Sequence, residues 1–134
     1  MYLSFLKKDE KKLFLDIACY LSAVDGNLEA KEQEMLNAYC KEMNLPYDIG
    51  QQTKDPDSII RRLKEICDEK SKKIIIFELI GLAMCDDKYL ESEQRYIKEI
   101  SSNLGINNNY IENCEHIISQ YLSFQTKINA LVTG

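Results

Sequence analysis

A chain of 134 residues, 45% hydrophobic and 29% charged, has the length and mixture of one globular domain with a core of its own. Its formal net charge of −5 argues against nucleic acid or an anionic membrane surface as a bulk partner. Five cysteines, odd in number and never spaced Cys-x-x-Cys, suit reduced cytoplasmic thiols better than a disulfide framework or a zinc site.

The opening Met1-Tyr2-Leu3-Ser4-Phe5-Leu6-Lys7-Lys8 has no charged region before a long apolar core, so no signal peptide is expected. Lys7 to Lys12 reads as an exposed, mixed-charge helix start. Leu13, Ile17, Tyr20, Leu21 and Val24 then recur at spacings of three and four, which predicts a helix with one apolar stripe. Met35, Leu36, Tyr39, Cys40 and Met43 repeat the pattern. The stretch from Asn44 to Lys54, with Pro46 and Gly50, reads as a connector. Asp55-Pro56 resembles an N-cap followed by proline at the first helical position, with Ile59, Leu63, Ile66 and Cys67 as the buried face.

Ile74 to Cys85 is apolar nearly all round, which predicts a central helix covered by its neighbours. Its β-branched start would also suit a strand, but the run is long for one. Glu78 interrupts it, so no segment offers the roughly eighteen apolar residues of a membrane span. That glutamate is expected to edge out to solvent. Tyr96, Ile97, Ile100 and Leu104 mark a further helix ending near Gly105. Ile111, Cys114, Ile117, Ile118, Tyr121 and Leu122 mark the last. The fold class expected is all-α: a compact single-domain helical bundle spanning 1–134, with related helix-pair halves at about 10–45 and 71–106 and a C-terminal helix at about 108–131.

The halves are related by a repeated acidic junction. Asp25-Gly26-Asn27-Leu28-Glu29-Ala30-Lys31-Glu32 returns as Asp86-Asp87-Lys88-Tyr89-Leu90-Glu91-Ser92-Glu93, 61 residues later (86 − 25 and 93 − 32). The spacing also occurs in the second half of an EF-hand loop. That loop needs oxygen ligands where this chain has Leu21 and Ala23, or Leu82 and Met84, so a standard EF-hand is excluded. If the junctions lie side by side, the carboxylates of Asp25, Glu32, Asp86 and Glu93 would suit Mg²⁺, Mn²⁺ or Ca²⁺, with zinc less suited. Glu29, Asp87 and Glu91 would be outer acids. Helix capping alone also accounts for the motif: Gly26 ends one helix, Leu28 plugs the core and Glu32 serves the next first turn.

The pattern from Leu3 to Ile106 resembles the TerB-like family, named for tellurite resistance. The resemblance includes Glu10-Lys11-Lys12-Leu13-Phe14-Leu15-Asp16-Ile17-Ala18, Ala23-Val24-Asp25-Gly26, and Glu42-Met43-Asn44-Leu45 with its counterpart Asn103-Leu104-Gly105-Ile106. It implies a helical bundle that binds metal through Asp25, Glu32, Asp86 and Glu93 and works within stress-response or membrane-associated assemblies. It does not imply tellurite chemistry. Asp87 stands where the family usually has glycine, which either strains the turn or adds a ligand.

Weaker signals have ordinary explanations. His116, the only histidine, has no nucleophile motif to serve and reads as a surface or packing residue. Arg61, Arg62, Lys64, Lys70, Lys72 and Lys73 are interrupted by Glu65, Asp68 and Glu69, as on a solvated face. The eight tyrosines read as core-edge packing residues. The expectation is a non-enzymatic cytoplasmic module whose partner is another protein, with a divalent cation as its one candidate cofactor. Its alternatives are a metal-dependent hydrolase using the same carboxylates and a structural adaptor without metal. The apolar tail Ala130-Leu131-Val132 offers a surface for a homodimer.

Overall fold

The computed structural model describes residues 1–23, 30–46, 55–85 and 88–134. Within them a 3₁₀ turn at Leu3–Phe5 precedes six helices: α1 (Lys8–Ser22), α2 (Ala30–Met43), α3 (Pro56–Ile66), α4 (Glu69–Met84), α5 (Glu91–Asn103) and α6 (Asn108–Thr133). No strand occurs among the described residues, and the all-helical architecture is the one the periodicity predicts. No described helix is long and apolar enough to cross a membrane.

The Asp68 carboxylate starts α4 by accepting the Ser71 N–H at 2.8 Å. That bond, followed by the neighbouring Ser71 hydroxyl, holds the Asp68 carboxyl below its ordinary pKa. Ile75 and Ile76 favour strands by propensity, yet here they lie on a helix fully enclosed by other elements. α4 packs against α1, α2, α5, α6 and the 3₁₀ turn, which explains why its apolar residues run all round. α1 brings Phe14, Ile17 and Leu21 to this centre, α2 brings Leu36 and Tyr39, and α3 brings Ile59, Ile60 and Leu63. The Phe14 ring meets Tyr39 edge-on, centroids 5.4 Å apart and planes at 68°.

The spacing of 61 recurs in the geometry of the helix ends. α1 and α4 begin at Lys8 and Glu69 (69 − 8), and α2 and α5 begin at Ala30 and Glu91 (91 − 30). α2 closes on Asn44 at φ 57° and α5 closes on Gly105 at φ 76° (105 − 44). In each the left-handed residue lets the next N–H reach back to a helix carbonyl: Leu45 to Cys40, and Ile106 to Ser101, both at 2.9 Å. A Cβ at Gly105 would meet nothing within 4 Å, so Gly105→Ala isolates backbone strain. We expect it to lose about 1 kcal/mol in chemical denaturation. Asn44→Gly, relieving the same strain in the other half, should lose nothing.

Three expectations need correction. Glu10, assigned to an exposed run, is only 1% exposed. Its Oε1 accepts the Lys7 N–H at 2.8 Å and the Ser71 hydroxyl at 3.2 Å. Glu78 does not edge out to solvent; it is buried and accepts the Tyr2 N–H at 2.8 Å. Tyr121, read as a core-edge packing residue, is more than half exposed, as is Ile117 beside it on the last helix. Of the connector between halves, 47–54 lie outside the described residues.

Candidate functional site

α1 ends at Ser22 and α4 at Met84. Asp25 and Asp86, expected to follow these ends, lie outside the described residues, as do Glu29 and Asp87. The glutamates seven residues on are placed. Glu32 stands in the first turn of α2 and Glu93 in the first turn of α5. They are 3% and 4% exposed, whereas a carboxylate at a helix start usually faces water. Among the described residues no three His, Cys, Asp or Glu side chains converge as a metal-ligand set.

The entry to α5 is held by two side chains. Glu93 Oε1 accepts the Leu90 N–H at 3.2 Å, satisfying a donor that precedes the helix. Gln94 Nε2 donates to the Tyr89 carbonyl oxygen at 2.9 Å. One turn after Glu93, the Tyr96 ring stacks on Tyr20 of α1, with centroids 5.6 Å apart and planes at 24°. That ring pair links the last turn of α1 to α5. Burial pushes the Tyr96 phenol above its ordinary range, and Tyr20 and the charges of Glu99, Asp57 and Asp55 push it further. Glu99, Asp57 and Asp55 thus lend the surroundings of Tyr96 a negative field. Glu91, by contrast, is exposed and pairs with Arg95 at 3.6 Å.

Other candidate groups are occupied elsewhere. None of the five cysteines forms a disulfide; Cys19, Cys40, Cys67 and Cys114 are buried. Burial, then the neighbouring Glu10 carboxylate, pushes Cys67 up to about 12. Burial also raises Cys40 and Cys114. A thiol so shifted is protonated near neutrality and is no nucleophile. His116 is exposed on α6. Lys70 stands over the Phe5 ring at 5.3 Å and Lys73 over Tyr110 at 5.7 Å, while Arg62 pairs with Glu65 at 3.3 Å.

Sequence reasoning missed two acids that organise this fold, Glu10 and Glu42. For Glu10 a signal existed: it stands 61 residues before Ser71, and the two side chains meet. For Glu42, which accepts the Leu3 N–H at 2.8 Å, the partner is 39 residues away and no local pattern marks it. Comparison of the chain with family models, curated proteins and solved structures returns no match.

Proposed function

We propose that this chain is a non-enzymatic, TerB-like interaction module whose helix junctions form an acidic working face for a partner protein and a divalent cation. The observation that carries the reading is the stacking of Tyr20 on Tyr96, which links the last turn of α1 to α5 one turn from the buried Glu93. Asp25, Glu32, Asp86 and Glu93 would hold the ion. Their oxygen donors fit Mg²⁺, Mn²⁺ or Ca²⁺. Such an ion would offset the repulsion among the acids and tie the halves together. The raised thiol pKa values support a binding role over nucleophilic catalysis. By the resemblance, the setting is a cytoplasmic stress-response assembly.

A second reading rests on a specific contact. The Glu93 bond to the Leu90 N–H is a helix cap in its own right, and an adaptor without metal needs nothing more from that residue. Calorimetric titration of chelator-treated protein with Ca²⁺, Mg²⁺, Mn²⁺ and Zn²⁺ separates the two. We expect saturable binding of a hard cation, abolished in Asp25→Asn with Asp86→Asn while the circular dichroism stays helical. Absence of binding to the unaltered chain removes the cation from the reading and leaves the acids as caps.

A further inference from the structure

The first half of α6 is anchored and the second half is not. Ile111, Cys114 and Ile118 are buried where the helix packs on α4 and α5. From Ser123 to Gly134 every residue is exposed; Ser123 and Thr126 still line a pocket with Met84 and Tyr89, so α6 runs on past the body from Lys127 by about two turns. A free segment of that length is marginal as a helix in water, because its few hydrogen bonds barely offset the ordering of the chain. Its persistence calls for a surface to pack on.

The exposed residues specify that surface. Ile117, Tyr121, Phe124, Ile128 and Leu131 are 58%, 52%, 64%, 45% and 85% exposed, and Val132 beside them is 75% exposed. The first five fall at intervals of four, three, four and three, which is the alternation of a coiled-coil seam. The register continues back through Cys114, where the seam passes into the body. The six side chains expose roughly 600 Å² per copy, taking about 150–200 Å² for each when fully exposed. That is as much as a monomer ordinarily leaves in one apolar patch.

We infer that this stripe pairs with the same stripe on a second copy of the chain, making a two-fold dimer through α6. Three arguments favour a second copy. A seam of alternating threes and fours is self-complementary, so one helix face supplies both sides of a closed, isologous contact. Two such faces bury on the order of 1,200 Å², the lower bound of a standard-size specific interface. Charge does not oppose the pairing: from Ile117 to Gly134 the only charged side chain is Lys127, although the whole chain carries −5. The inference rests on α6 alone and is independent of the junction acids.

Sedimentation equilibrium of the full chain over a range of concentrations tests it. The mass should rise from 15.6 kDa to about double. Phe124→Glu with Leu131→Glu should raise the dissociation constant by at least about tenfold, with helical circular dichroism of the body retained. Ser123→Glu with Asn129→Glu, adding the same charge off the seam, should leave the dimer intact. If the first pair fails to fold, Phe124→Ser with Leu131→Ser takes its place and should also dissociate. A chain that is monomeric throughout, a dimer indifferent to the seam substitutions, or a monomer that cofloats with phosphatidylcholine vesicles through Phe124 and Leu131 would overturn it.

Discussion

Phe14→Ala should cost about 3–5 kcal/mol in chemical denaturation, a large share of the stability of a domain this size. Phe14 is fully buried on α1, the helix that packs against α2, α3 and α4. Its ring abuts Tyr39, whose hydroxyl donates to the Glu78 carbonyl oxygen at 3.0 Å. Removing the ring leaves a cavity on one side of Tyr39, and that hydroxyl bond limits how far Tyr39 can move to fill it. Phe14→Leu, which retains most of the volume, should cost about 1 kcal/mol. Equal losses in the two variants would show that the site collapses freely, contrary to the packing described.

Glu78→Ala should cost about 2 kcal/mol near neutrality. The buried carboxylate accepts the Tyr2 N–H at 2.8 Å and lies 3.2 Å from the Met1 amino group. Glu42 holds the same segment from α2, with its Oε1 2.7 Å from that amino group. Together the two acids fasten the 3₁₀ turn to the bundle. The Met1 side chain is 56% exposed and the amino group lies near the surface with it, so its ion pairs add less than about 1 kcal/mol, and most of the loss comes from the bond to backbone. Burial works against the charge of the amino group, but Glu42 and Glu78 outweigh it and leave its pKa raised. A raised value means the pairing is fully present below the unfolded pKa and is lost as the pH climbs through the folded one. The penalty of Glu78→Ala should therefore shrink in alkali. Urea midpoints measured near neutrality and in alkaline buffer check both parts, and a penalty that grows with pH would contradict them.

Local chemistry made much of this fold legible. Asp55-Pro56 does begin α3, through proline at the first helical position and without a capping bond from the Asp55 side chain, and Gly105 does follow the end of α5. The all-round apolar run announced a helix enclosed on every side, as α4 is. Glu10 divides its bonds between Lys7, three residues off, and Ser71, 61 residues on. Glu78 escaped because the group it binds lies 76 residues away, and a charged letter in an apolar run says nothing of a distant donor. Ile117 and Tyr121 escaped for the opposite reason. Periodicity shows that a helix has an apolar face, but not whether its own chain covers it. At the junctions, the spacing singled out Glu32 and Glu93, whose burial follows from tertiary packing; Asp25 and Asp86 lie outside the described residues.

The meeting of Glu10 and Ser71 limits how alike the halves can be. The two positions correspond under the 61-residue offset, and their side chains touch in the interior. A symmetric pairing of identical halves would force one residue type into both places. Two glutamates there would set like charges against each other away from water, and two serines would leave the Lys7 N–H without the carboxylate that now accepts it. A single chain escapes that choice by using an acid on one side and a hydroxyl on the other. The correspondence at 61 residues therefore breaks where keeping it would be most costly, and the two positions are not interchangeable.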